Sequence, residues 1–255
     1  MIRYEVKDGV AVVTLARPER LNALLFEMRE ALGTHFEEAD RDERVRCVLL
    51  QAEGKAFCAG GDVGRIAEDT PETNREVMKR SHRMIRNLAA VRKPVVAAVR
   101  GACAGMGWSL ALAADVVVAS DTAKFAQVFR NIGLVPDGGA VWFLTQYLGT
   151  LRAKELVFSA RRIDAAEAHS LGLVTRVVPD AELDAIARQT ARDLAQGPTR
   201  ALGAAKKMFR FMHQPDLVEF LELEAAEQMA AIRGYDHREG VTAFLEKRPP
   251  KFEGR

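Results

Sequence analysis

Short runs rich in β-branched residues alternate with segments of helical period in the N-terminal part of the chain: VAVVTL (10–15), a helix after Asn22, VRCVLLQA (45–52), a helical stretch over 72–90, then PVVAAVR (94–100). Strands separated by helices specify an α/β protein. In the first helix Leu24, Leu25, Met28, Leu32 and Phe36 recur at three- and four-residue spacing. Glu27, Glu30, Glu37 and Glu38 take the opposite face, and Asn22 is placed to cap the first turn.

After about residue 180 the strands stop, and helical patterns follow at 181–195, 198–211, 216–232 and, shorter, near 236–246. The third carries an apolar stripe of Leu217, Phe220, Leu221, Leu223, Ala226, Met229 and Ile232, wide enough to bury against the chain's own core or against another subunit. No internal repeat, low-complexity tract or flexible linker interrupts the sequence.

A chain of 255 residues with 48% apolar and 28% charged residues can bury a sizeable core. Its formal charge of +2, without a basic run interleaved with aromatics, argues against nucleic acid as a partner. Charges in MIRYEVKDGV rule out a secretory leader there, and the most apolar segment, SLALAADVVVA, is short and broken by Asp115, so a cytoplasmic protein with no membrane partner is expected. Cys47, Cys58 and Cys103 lie far apart among small apolar residues, which predicts reduced, buried thiols, neither disulfide nor zinc ligands; a reactive thiol at Cys58, beside a glycine loop, is the alternative.

Two glycine loops, KAFCAGGD (55–62) and RGACAGMGWSLALA (100–113), each follow a strand and run towards a helix, where free N–H groups can meet a ligand. Glycines at 101, 105 and 107 do not form G-x-G-x-x-G and no G-K-[ST] follows, so neither loop is a nucleotide cradle. Taken singly, each is also explained by close helix-to-strand packing. A third loop, FAQVFRNIGLVPDGGA (125–140), sets one carboxylate, Asp137, among apolar residues and glycines. V-P-D-G-G is also a good turn: Pro136 presets φ, Asp137 can bond its own downstream backbone, and Gly138 tolerates positive φ. Asp62 and Asp115 stand where loops meet elements and read as caps or turns. Ser109 has no adjacent histidine to make it a nucleophile.

Taken in order, the three loops, with RPERLNAL (17–24), RIDAAEAHSLGLVTRVVP (162–179) and FLEKRPPKF (244–252), resemble the crotonase family, the enoyl-CoA hydratase/isomerase superfamily, over nearly the whole chain. In its acid position the chain is most similar to the double-bond and ring-epoxide isomerase branch. The resemblance implies a crotonase-like spiral of ββα units over 1–195, holding a CoA-thioester site. It further implies a helical region over 196–255 for trimerisation and CoA contact, in a homotrimer or dimer of trimers. The substrate implied is an acyl-CoA thioester, with coenzyme A arriving as part of it, no separate cofactor and no metal.

Residue by residue, the resemblance assigns the two N–H groups that hold the thioester oxygen to Gly61 and Met106. Such preorganised donors are worth about 3 kcal/mol each in a dry site. Glycine at 61 permits close backbone approach. Met106 replaces the glycine often seen there, so its side chain is expected to narrow or reshape the acyl pocket. Ala59, Gly60, Asp62, Val63, Gly105 and Phe129 would line substrate, Arg20 and Leu21 the CoA arm, and Phe244 and Lys247 the nucleotide end; solvated surface charge is the other reading of Arg20 and Lys247.

The two glutamates of the family's hydratases fall on Ser109 and Phe129, so ordinary hydration should be weak or absent, each missing group being worth about 10² to 10⁴ in rate. Asp137 matches the working aspartate of the isomerases, where one acid suffices. Phe129, Ile132, Leu134 and Val135 would partly desolvate it and make it a better base. Aryl-CoA dehalogenases of the family also use an aspartate there, with a histidine base at the position of His82. Hydration by atypical residues and acyl-CoA binding without catalysis are the remaining alternatives.

Overall fold

The strand runs build a six-stranded sheet in which β1 (Ile2–Lys7) pairs antiparallel with β2 (Val10–Leu15), while β3 (Cys47–Ala52), β4 (Val95–Val99), β6 (Val116–Ser120) and β9 (Arg176–Val178) continue in parallel. A second sheet joins β5 (Ala102–Ala104), β7 (Lys124–Ala126) and β8 (Ile163–Asp164). The helices are α1 (Phe26–Arg41), α2 (Val63–Ile66), α3 (Pro71–Ala90), α4 (Met106–Leu112), α5 (Ala140–Leu148), α6 (Thr150–Ser159), α7 (Ala165–Ser170), α8 (Leu183–Ala195), α9 (Thr199–Phe211) and α10 (Tyr235–Glu246). The coordinates are a computed structural model that describes residues 1–66, 71–211 and 234–255; the helix expected over 216–232, with its apolar stripe, lies outside the described residues.

The central strands are covered on both faces, which is why they read as unbroken apolar runs. Val10, Val12, Cys47, Leu49, Val96 and Ala98 pack with Leu183, Ala187 and Ala191 of α8, whose alanines let the helix lie close to the sheet. Their alternating neighbours, among them Ala11, Val13, Val48, Leu50, Val95 and Ala97, join the larger core with Met28, Leu32 and Phe36 of α1 and Met84 and Leu88 of α3. All three cysteines are free and buried, and burial pushes the Cys58 thiol up to about 12, which removes the reactive-thiolate alternative at that position.

Asn22 does not cap α1. The helix begins at Phe26 with Leu25 at its N-cap. Asn22 is fully buried with φ of 55°, a left-handed conformation that asparagine tolerates better than most residues. Its side chain accepts from Arg17 N (2.8 Å) and donates to Glu53 O (2.9 Å) and Ala56 O (2.8 Å), and its carbonyl accepts from Cys58 Sγ (3.1 Å). One residue thereby pins the turn before α1 to the loop that leaves β3.

Candidate active site

Pairing brings the two glycine loops side by side. Cys58 and Cys103 form a parallel bridge, with Cys58 N donating to Ala102 O (3.0 Å) and Ala104 N to Cys58 O (2.9 Å). Gly107 permits this approach, because a Cβ there would lie 2.6 Å from Cys58 Cβ. From the other side Ala59 N donates to Leu21 O (3.0 Å), Leu24 N to Gly60 O (2.8 Å) and Asp62 N to Leu24 O (3.3 Å), so Gly61 is bridged to Leu24. The two loops meet at their ends, where a Cβ on Gly60 would sit 3.8 Å from Met106 N. Met106 opens α4, so its N–H has no partner in the helix, and among the described residues neither it nor Gly61 N–H has an acceptor.

The Asp137 bend packs against the start of α4. Ser109 Oγ donates to Asp137 O (3.0 Å) and Gly105 O (3.3 Å). Gly138, at φ 63°, packs so tightly that a Cβ would lie 2.5 Å from Met106 Sδ and 2.8 Å from Ser109 Cβ. A Cβ on Gly139 would meet Phe143 (3.1 Å) and Ile85 Cγ2 (4.0 Å), which brings α3 and α5 against the same loop. The Asp137 side chain is partly exposed as a whole, yet its Oδ1 is buried without a hydrogen-bond partner among the described residues. Burial pushes its carboxyl up to about 6, against the opposing pull of positive charge at Arg29 and His82 and of its own backbone.

Two expectations change. Ile132, Leu134 and Val135 are 48%, 45% and 81% exposed, so they do not form the apolar wall around the carboxylate; packing on Met106, Phe143 and Ile85 surrounds the bend instead. The Met106 side chain is buried (1% exposed) beneath Gly138, so it supports the Asp137 bend rather than narrowing a pocket.

Phe129 is buried with its ring 3.5 Å from where a Gly105 Cβ would be, beside the start of α4. Ser109 is fully buried and its hydroxyl is directed to two carbonyls, a structural tie rather than a reacting group. Asp62 accepts from Arg17 Nη1 (2.7 Å), and Asp115 accepts from Val95 N (2.8 Å) and Lys206 Nζ (2.7 Å), so both act as struts. Arg20 and Val63 are exposed near the first loop, and Leu21 is tied to it through its carbonyl. His82 is exposed on α3. Phe244 lies on α10 and Lys247, exposed with φ of 56°, just after it; among the described residues the hydrogen bonds of this region run to the chain's own last residues, and those residues in turn to Arg46, not to the glycine loops. No metal-holding cluster of three His, Cys, Asp or Glu exists among the described residues, and no helix there is long and apolar enough to cross a membrane.

Sequence reasoning passed over Arg29. It is 5% exposed on the inner face of α1, and the signal was a lone cation on the Leu25, Met28, Leu32, Phe36 stripe.

A family model described as enoyl-CoA hydratase/isomerase matches residues 5–255. The chain is 42% identical over 254 residues to a Rhodobacter capsulatus protein named "Probable enoyl-CoA hydratase", covering 100% of this chain and 98% of that one. It is 40% identical to the 1,2-epoxyphenylacetyl-CoA isomerase of Escherichia coli, with the same coverage. The crystal structure of an enoyl-CoA hydratase/isomerase from Cupriavidus metallidurans superimposes with a TM-score of 0.92 at 35% identity, covering 99% of this chain and 96% of that one. The chain therefore belongs to the enoyl-CoA hydratase/isomerase family and has the crotonase fold. Relatives named for hydration and for isomerisation stand at nearly equal distance from it.

Proposed function

We propose that the chain is an acyl-CoA isomerase that shifts a double bond or isomerises a ring epoxide, with Asp137 as its single acid and base. The observation that carries this reading is one poorly hydrated carboxylate on a bend packed against Met106; among the described residues its Oδ1 is buried without a partner and Met106 N–H lacks an acceptor. Gly61 and Met106 N–H would hold the thioester oxygen. Asp137 would take a proton from a carbon of the acyl chain, the C–H electron pair passing into a dienolate whose negative oxygen the two donors stabilise. In the double-bond shift the same proton then returns two carbons away, so no water is consumed and no cofactor is required. Serine at 109 and phenylalanine at 129 leave both glutamates of a hydratase without a counterpart at their own positions.

The reading extends to binding and assembly. Arg20, Leu21, Phe244 and Lys247 would contact coenzyme A, and the region from 196 onward would join subunits into a homotrimer or dimer of trimers. Exposed Val135, Trp142, Leu151 and Phe158 support assembly, since a lone chain rarely leaves so many large apolar side chains in water on one stretch.

A panel of 2-enoyl, 3-enoyl, 2,4-dienoyl, ring-epoxide and aryl-halide CoA esters, assayed by product mass with Asp137→Asn alongside, tests the reaction. Isomerisation lost in the variant with ester affinity kept is the expected result. Full-speed hydration of 2-enoyl esters would move the assignment to a hydratase with atypical residues; halide release would favour the dehalogenase-like reading, with His82 as its base. No turnover of any ester would leave a binding protein.

A further inference from the structure

The backbone of the acid residue is tied to α4 by a hydrogen bond as well as by packing. Ser109 is fully buried on α4, and its Oγ lies 3.0 Å from Asp137 O and 3.3 Å from Gly105 O. A hydroxyl has one proton to give. Gly105 O already accepts from Trp108 N (3.0 Å) and Ser109 N (3.1 Å), whereas among the described residues Asp137 O accepts otherwise from Ala140 N alone, at 3.2 Å, so the proton goes to Asp137 O. Ser109 follows Met106 by three residues, on the same face of the helix. A Cβ on Gly138 would meet both, Met106 Sδ at 2.5 Å and Ser109 Cβ at 2.8 Å. The turn of α4 that opens with the Met106 N–H therefore holds two successive residues of the bend, Asp137 by its carbonyl and Gly138 by packing. Little else fixes this segment: residues 130–135 leading into it are exposed, and Gly138 and Gly139 follow at φ of 63° and 75°.

We propose that Ser109 is a positioning residue for the isomerisation: its hydroxyl holds the carbonyl of Asp137 and so keeps the acid in register with the Met106 N–H. The inference rests on the reading of Asp137 as the working acid. Register matters because a displacement of about 1 Å costs about a hundredfold in rate.

The test compares Ser109→Ala and Ser109→Thr with the native chain by carbon NMR of protein carrying carboxyl-labelled aspartate, the Asp137 resonance being the one missing from Asp137→Asn. Burial raises that carboxyl and positive charge at Arg29 and His82 opposes it, while the side chains packed on the bend, Met106, Phe143 and Ile85, are uncharged. The native midpoint is expected at about 6. Without the hydroxyl the bend loosens from α4 and water reaches the carboxylate, so in Ser109→Ala the midpoint should fall by about one pH unit. Ser109→Thr, which keeps the hydroxyl, should hold it near the native value. On whichever ester of the panel the native chain isomerises, Ser109→Ala should lower kcat about ten- to hundredfold with KM within about twofold, a split that a general loosening of the fold would not give. An unmoved midpoint in Ser109→Ala overturns the proposal whatever the rate does, and so does an equal fall in both variants. Should Ser109→Ala not fold, Ser109→Cys, whose thiol donates only weakly, must show the fall; its absence overturns the proposal equally. Full turnover in Asp137→Asn would instead sink the underlying reading of Asp137, while the midpoints would still report the tie to Ser109.

Discussion

Asp137 destabilises the fold it belongs to. Its carboxyl is raised from 3.8 to about 6 by burial, so the folded chain holds that proton more tightly than the unfolded chain does. The stabilising contribution of the protonated form is complete below pH 3.8, and it is lost as pH rises through about 6. At neutral pH the ionised group then costs about 1–3 kcal/mol, allowing for its partial exposure. Asp137→Asn should therefore be more stable than the native chain at pH 7 by roughly that amount in urea denaturation, and the advantage should fade towards pH 4. An equal gain at both pH values would contradict it. This carboxylate was legible in sequence because it stood alone among apolar residues and glycines. Arg29 was legible on the same logic, as a cation on an apolar stripe, but a stripe is read for its hydrophobes and the exception goes unasked. Asn22 was not: next to a helical pattern an asparagine reads as a cap, and its actual partners at Arg17, Glu53 and Ala56 include two that are distant in the chain.

At the scale of elements, the site is a junction between the start of α4 and the bend before α5, and Met106 fills it. Gly138 needs both its positive φ and its missing Cβ, since an alanine there would press on Met106 Sδ and Ser109 Cβ. Gly138→Ala should cost about 1–3 kcal/mol in stability and lower turnover by displacing Asp137, with Met106→Ala restoring part of both. Additive losses in the double-mutant cycle would show that the two positions are not coupled. The expectation that the Met106 side chain narrows or reshapes the acyl pocket did not foresee its packing under Gly138, because a sequence gives spacing along α4 but not the direction a side chain takes at its first turn. The strands at 10–15, 45–52 and 94–100 and the helices after Asn22, over 72–90, 181–195 and 198–211 and near 236–246 were found within a few residues, since burial leaves a strong apolar signal, whereas α5, α6, α7, β6 and β9 were not read. The strands β1, half-exposed, and β5, β7 and β8, two or three residues each, carry too short or too mixed a pattern to be seen.

For the whole molecule, the larger core lies between the main sheet and α1 and α3, while α8 closes the opposite face. The large side chains left in water, Trp142 at 50%, Leu151 at 83% and Phe158 at 65% exposure, follow directly after the Asp137 bend in sequence. Sedimentation velocity should give the mass of a trimer or hexamer, and replacing Trp142 and Leu151 together by glutamate should lower it. A native chain that sediments as a monomer would remove assembly from the account. The central claim, two main-chain donors and one acid on a single thioester, is met most directly by a crystal structure of Asp137→Asn with a bound acyl-CoA ester. The account predicts the thioester oxygen at about 3 Å from both Gly61 N and Met106 N, with the side chain at 137 against the acyl carbons. An ester seated elsewhere, or an oxygen turned away from both N–H groups, would contradict it.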